Sequence, residues 1–351
     1  MAVTQSAAAS DPQASDSAEA TGELLELSLA YMYSAALSSA ARFGVADHLV
    51  DGPRTAEELA AAVGVNAPFL YRILRYLATK EVFREDEEGR FHLTPRAQPL
   101  RTDSERSLRA YITVCGEAPF WEPAGRLHEA VRTGTTAFEG QYGTSFYKYV
   151  AGNPDFGQAF NTAMATVSEA LSDDIAEACD FSAAKTLVDV GGGQGGLLRS
   201  ILRRNPQLTG TLFDLENVVA GHVLDTPDLA GRWDTQAGDF FVSVPAGADV
   251  YFLKQVLASW PDEQCVNILR TCREAMPAHG RLLVANPMIP AGNEPHPGKT
   301  VDLMMMTVLN GRNRTRAEYE ELLTAAGFEV TRFLDPSPHA SVVEAVPAAG
   351  A

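Results

Sequence analysis

Basic residues are scarce in this chain: lysine and arginine total 28 against 45 aspartates and glutamates over 351 residues, a formal charge of −17. Such a surface repels phosphate backbones and anionic headgroups, which argues against nucleic-acid and membrane partners. Cysteine is scarcer still. Cys115, Cys179, Cys265 and Cys272 include no C-x-x-C pair, so neither a disulfide framework nor a metal site is indicated, and a reducing cytoplasm is the simplest compartment. Cys265 and Cys272, seven apart in a helical pattern, read as two small buried apolar side chains. No uninterrupted run of about 18 apolar residues offers a membrane span. The first 22 residues lack a basic stretch followed by an apolar core and do not read as a secretion signal; their Ser, Ala, Asp and Glu show no periodicity, which suggests a disordered leader over 1–22. Apolar residues are plentiful, at 46 %, enough for cores in roughly two domains of about 100 to 200 residues each.

From Leu24 to about Val50 apolar residues run almost all round a helical period. A helix with no fully polar face needs cover on most sides, which points to a subunit interface. Short helical units follow at Ala41–Val50, at TAEELAAAVGV with Thr55 as N-cap, and at APFLYRILRYLATKEV, then two alternating stretches around Gly89 in FREDEEGRFHLT. Helices plus a β-wing give a winged-helix domain over 23–104. DNA contact is not expected of it: the recognition-helix candidate carries only Arg72, Arg75 and Lys80, and Glu57, Glu58, Glu85, Asp86, Glu87 and Glu88 dominate the rest. Residues 105–180 read as helical, a linker contributing to an acceptor pocket. From Lys185 onward TLVDV, GTLFDL, ADVYFLK and GRLLVAN are strand-length apolar runs separated by helical stretches. That alternation predicts a parallel sheet covered by helices over 181–351.

The strongest local signal is LVDVGGGQGGLLRSIL, a strand, a glycine turn and a helix. Gly191, Gly193 and Gly196 satisfy G-x-G-x-x-G, and Asp214 closes the next strand where it can hold ribose hydroxyls. On spacing alone a dinucleotide fits. Asp189, two residues before the first glycine, is expected at the mouth of the loop, where it would repel a pyrophosphate and suit a cationic sulfonium cofactor. Further on, Asp239 can accept from an exocyclic amine while Phe240 packs on an adenine ring, and the glycines let the backbone approach a ligand closely.

These residues, together with the GDFF segment, the LK-x-V-L-x-x-W segment ending at Trp260, NGRNRTRAEYEELLTAAGF and YGTSFYKYVAGNPDFGQAFNTAM, resemble the S-adenosylmethionine-dependent small-molecule O-methyltransferases. The likeness is to the caffeate and acetylserotonin type, with bacterial antibiotic-pathway relatives such as carminomycin O-methyltransferase and aclacinomycin 10-hydroxylase. It covers nearly the whole chain from about Leu24. It implies an α/β fold: a Rossmann-like class I methyltransferase domain preceded by a mainly α winged-helix dimerisation domain, in a homodimer. By position it implies contacts to S-adenosyl-L-methionine at Asp189, Gly191, Asp214, Leu215, Asp239, Phe240 and Lys254, with Ser168 and Trp260 close by.

The family pattern breaks where a base belongs. Members that deprotonate a phenol usually carry His-Asp-Trp after the fourth strand, and here the segment reads Ala258-Ser259-Trp260. The carboxylate that usually orients that histidine, in an E-R-T context, is Asn313, while Asp302 remains acidic. Gln255 and Asn313 can hydrogen-bond an acceptor rather than deprotonate it. Of the other histidines, His48, His92, His222, His279 and His339 fall in turns or at element ends and His296 in a Pro-rich loop; His128 lies on a helix expected to roof the acceptor pocket. That pocket is expected between the domains, with Phe120, Trp121, Phe160, Met164, Met305 and Met306 as lining candidates. Three readings follow. Methyl transfer to an aromatic or polyketide-derived acceptor can proceed by proximity and orientation alone. The fold can instead hold the cofactor for hydroxylation or decarboxylation, or serve a non-enzymatic sensor.

Overall fold

In the computed structural model, which describes residues 12–337 and 340–349, the chain divides into two compact units, one ending at Gly116 and one starting at Glu117. In the first, α1 (Pro12–Ser28) takes in the second half of the expected leader, residues 1–11 of which lie outside the described residues. Good helix formers behind a proline at the first helical position explain this helix, which the absence of amphipathic period concealed. α2 (Tyr31–Phe43) ends on Gly44 in the left-handed region (φ 67°), so the apolar stretch from Leu24 is broken rather than continuous.

β1 (Arg54–Thr55), α3 (Ala56–Val63), α4 (Ala67–Ala78), β2 (Phe83–Glu85) and β3 (Arg90–Leu93) follow. Thr55 caps α3 through a reciprocal pair with Glu58, and the Asn66 side chain caps α4. Asp86 accepts the backbone N–H groups of Glu88 and Arg90 to tighten the wing turn, and the strands pair in the order β1-β3-β2. Leu59, Leu70, Leu74, Leu77, Phe83 and Phe91 form the core, and α5 (Arg109–Cys115) packs on α2. Leu24, Leu25, Leu27, Leu29, Tyr31 and Met32 stay exposed.

The second unit opens with α6 (Ala118–Gly125), α7 (Leu127–Thr133), α8 (Ala137–Tyr142), α9 (Phe146–Gly152) and the long α10 (Pro154–Ala178). Then strands and helices alternate: β4 (Thr186–Val190), α11 (Gly196–Arg204), β5 (Thr209–Asp214), α12 (Glu216–Val219), β6 (Trp233–Ala237), β7 (Val250–Lys254), α13 (Asp262–Ala275), β8 (Arg281–Asn286), α14 (Pro297–Val308), α15 (Arg316–Ala325), β9 (Phe328–Ser337) and β10 (Ala340–Pro347). They form a seven-stranded sheet in the order β6-β5-β4-β7-β8-β10-β9, parallel except that β10 runs antiparallel to both neighbours. Strand alternation splits the core into two layers. Val188, Leu253, Leu282 and Val284 meet α13 and α15, whereas Leu187, Phe252, Leu283 and Ala285 meet α10 and α11. The chain leaves β4 toward β5 and β6 and returns on the other side at β7, so the strand order reverses beside the carboxyl end of β4, where open α/β sheets bind ligands.

Candidate active site

The loop after β4 turns on glycines. Gly191, Gly193 and Gly195 adopt φ of 67°, 61° and 85°, values that L side chains rarely accept. A Cβ on Gly191 would stand 2.8 Å from Val256 Cγ2 and 3.4 Å from a Phe240 ring carbon, while one on Gly193 would meet nothing within 4 Å. The loop is thus closed on the β7 side and open above. Asp214, ending β5, accepts the N–H of Gly193 at 2.9 Å and that of Leu215 at 2.7 Å. Burial raises its carboxyl above the usual range, opposed by those two donors. After β6, Asp239 accepts the N–H of Phe241 at 2.9 Å, and Phe240 and Phe241 both meet Trp260 edge to face, at 6.3 and 4.9 Å between centroids, while tilting against each other at 5.0 Å. The Leu215 side chain lies exposed beside Asp214.

Asp189 corrects the sequence reading. It does not stand at the mouth of the loop but is fully buried beneath it, where a Cβ on Gly192 would press on its carboxyl group. Alternation along β4 turns it toward α10 and α11, and burial drives its pKa up against the pull of Lys254. Lys254 faces the same layer. Its ammonium donates to Ser168 O at 3.0 Å, to Ser168 Oγ and to Ser172 Oγ at 2.8 Å, so Lys254 and Ser168 tie α10 to the sheet, and burial lowers the lysine pKa.

The turn after β7 carries Gln255, held at φ 58° with its N–H on Ala285 O. A non-glycine residue in this region is uncommon and marks functional turns. Ala258 is buried, and a Cβ on Gly311 would lie 1.9 Å from Ala258 O, so the 311–314 segment lies flat on the turn. Arg314, fully buried, donates to Leu257 O at 2.9 Å, to Trp260 O at 2.8 Å and to Asp262 Oδ1 at 2.6 and 2.9 Å. Asn313 is also buried; its N–H bonds Asp302 Oδ1 at 2.7 Å and its amide bonds Gly298 O at 2.8 Å. Asn313 and Asp302 therefore lock the loop to α14. His296, in its Pro-rich loop, accepts the Gly298 N–H on Nδ1 and caps α14.

Among the acceptor-side candidates, Phe160 stacks with Phe120 and Phe156 and meets Phe146 edge-on. Met305 is buried on α14, which packs on α6 and α8, and Trp121 on α6 and Met164 on α10 are half-buried. His128 does not join them. Its side chain is 76 % exposed beside Glu129, because α7 turns Ala130 inward instead. Sequence reasoning missed three residues. Tyr147 on α9 bonds Ser259 Oγ at 3.3 Å; Arg314 pins the turn; and Asn286, closing β8, is buried with no partner for its amide atoms among the described residues. An asparagine ending the apolar run GRLLVAN was the available signal for the last.

A glycine loop at the switch point, an acid ending β5 and an acid–aromatic pair after β6 define a nucleoside-binding α/β enzyme. Residues 125–329 match the O-methyltransferase domain and residues 25–103 the O-methyltransferase dimerisation domain. The chain is 42 % identical to the phenazine O-methyltransferase of Lysobacter antibioticus over 92 % of its own length and 95 % of that protein. A methyltransferase of calicheamicin biosynthesis, solved with S-adenosyl-L-homocysteine, superposes with a TM-score of 0.88 at 45 % identity, covering 94 % of this chain and 98 % of that one. An O-methyltransferase from neocarzinostatin biosynthesis, solved with S-adenosyl-L-homocysteine and 1,4-dihydroxy-2-naphthoic acid, superposes at 0.73 with 37 % identity over 89 % and 95 %. The chain belongs to the O-methyltransferase family: it is an S-adenosyl-L-methionine-dependent methyltransferase. Among the described residues no helix is long and apolar enough to cross a membrane.

Proposed function

We propose that this enzyme methylates a hydroxyl oxygen of an aromatic or polyketide-type small molecule in natural-product biosynthesis, as a cytoplasmic homodimer, without a histidine base. The observation that carries the reading is position 258, a buried alanine where the family's base would stand, in a turn whose backbone Gly311 lies against. The relatives' names support the acceptor class, and the exposed apolar row from Leu24 to Met32 supports the dimer; sedimentation at twice the chain mass checks the latter.

S-adenosyl-L-methionine supplies an electrophilic methyl carbon on a cationic sulfur. The residues present fit it. Asp214 keeps carboxylate lone pairs free for ribose hydroxyls, Asp239 and Phe240 offer an acceptor and a ring face for adenine, and the bare backbone at Gly193 admits close approach. Lys254 and Ser168 act beneath this surface by tying β7 to α10, and Asp189 lies buried under the loop with no hydrogen-bond partner for its carboxyl oxygens among the described residues. On the acceptor side Trp121, Phe160, Met164 and Met305 exclude water and orient a flat ring, and Gln255 lies exposed at the carboxyl end of β7. Held in line and dry, an acceptor of low pKa needs no protein base, since orientation lowers the barrier by several kcal/mol.

The deciding experiment incubates enzyme, S-adenosyl-L-methionine and an acceptor. A product heavier by one methylene with stoichiometric S-adenosyl-L-homocysteine supports transfer, and an altered product without it supports oxidative or decarboxylative chemistry instead. Ala258→His is expected not to raise kcat, because in-line placement rather than proton removal carries the step. A large gain in a steady-state assay would show that proton removal limits the natural enzyme.

A further inference from the structure

Beside Ala258 the structure places two neutral hydroxyls. Tyr147 Oη and Ser259 Oγ lie 3.3 Å apart, and Ser259 stands between Ala258 and the Trp260 ring that packs on Phe240. The turn is rigid: Arg314 grips the carbonyls on either side of it at Leu257 and Trp260. Tyr147 itself is 46 % exposed, and its hydroxyl meets Ser259 at an accessible site that an acceptor can reach. A 3.3 Å bond is long for two hydroxyls and is readily exchanged for stronger bonds from both O–H groups to a charged ligand oxygen.

We propose that Tyr147 and Ser259 form an oxyanion-binding pair that lowers the pKa of the acceptor's hydroxyl and so replaces the missing base. The inference rests on the aromatic-acceptor reading above. The acceptor's proton passes to bulk water as its oxygen becomes an anion, and neither protein hydroxyl gains or loses one. Each donates its O–H to the anion, and hydrogen bonds to a charged acceptor are the strong ones. Tyr147 is suited to donating rather than accepting the proton, because burial holds its phenol above its ordinary range and the bond to Ser259 only partly opposes this. Charged groups on the elements around it are Lys148 on α9, Glu139 on α8, Asp155 at the start of α10, and Asp262, Arg312 and Arg314 under the turn. The last three are paired among themselves, and the Tyr147 shift has no cause beyond burial and Ser259.

The test uses full-length enzyme loaded with S-adenosyl-L-homocysteine and two probes, 1,4-dihydroxy-2-naphthoic acid and 3-amino-4-hydroxybenzoate, whose ionisation is followed by absorbance. In wild type the bound hydroxyl should titrate about one unit or more below its free value, and in Tyr147→Phe it should return toward it. With S-adenosyl-L-methionine, kcat/KM of Tyr147→Phe should fall about 10- to 100-fold at pH 7 and recover in alkali, while affinity for S-adenosyl-L-homocysteine stays level. Ser259→Ala should move the same readouts in the same direction and serves if Tyr147→Phe does not fold. A bound hydroxyl that titrates at its free value, or equally in wild type and variant, overturns the pair while methyl transfer stands. Wild type that neither binds nor methylates either probe removes the aromatic-acceptor reading, and this proposal with it.

Discussion

Arg314→Leu should cost about 3–5 kcal/mol of stability and lower the melting temperature by about 6–20 °C in a calorimetric scan. The side chain is fully buried and makes five hydrogen bonds, to Leu257 O, Trp260 O, Arg312 O and twice to Asp262 Oδ1. Leucine removes the charged donors of both turn carbonyls, leaving Leu257 O to the Trp260 N–H and the Cys265 thiol and Trp260 O to that thiol alone, while Asp262 keeps only Arg312. Arg314→Lys is expected to recover less than half of the loss, since one ammonium cannot reproduce the fork that spans Leu257 and Trp260. Activity should fall further than stability predicts, because this turn carries Ser259 and Trp260 and its geometry is set from below. Stability within about 1 kcal/mol of wild type would mean that the turn holds its shape by packing alone.

Where the pattern was local, it was legible. Short apolar runs gave β4, β5, β7 and β8, Thr55 announced the start of α3, and the glycine series located the cofactor loop because a tight strand-to-helix turn can be built from few sequences. The errors came from side-chain direction and from distant partners. TLVDV is buried on both faces, so nothing in it told that Asp189 faces the α10 layer rather than the ligand. His128 sits on a short helix whose inward face is Ala130, and seven residues are too few for the period to show it. The Tyr147–Ser259 pair joins positions 112 apart and the Arg314–Asp262 pair positions 52 apart. No spacing rule reaches that far, because such pairs exist only once β7, α9 and the loop before α15 have been brought to one edge of the sheet. Asn313 shows the opposite case: its replacement of a family carboxylate was visible at once, yet its work of bonding Gly298 and Asp302 needed the fold.

The largest effect on cofactor is expected at Asp214. Asp214→Ala should weaken binding of S-adenosyl-L-homocysteine at least about 100-fold by titration calorimetry, corresponding to about 3 kcal/mol. Two charge-assisted bonds to ribose hydroxyls would each contribute about 1.5–3 kcal/mol, and the same carboxylate shapes the loop through the N–H groups of Gly193 and Leu215. The loss is therefore double: the ligand's partner disappears, and the loop that receives it relaxes. Asp214→Asn keeps one carbonyl acceptor and separates the two contributions. If the amide holds Gly193 in place, its loss should be about tenfold, and an asparagine variant as weak as alanine would put the whole effect on charge. Asp239→Ala supplies the scale, since a single bond to an exocyclic amine predicts a loss of about tenfold. Equal affinity in Asp214→Ala and wild type would place the ribose elsewhere and dissolve the assignment of this loop.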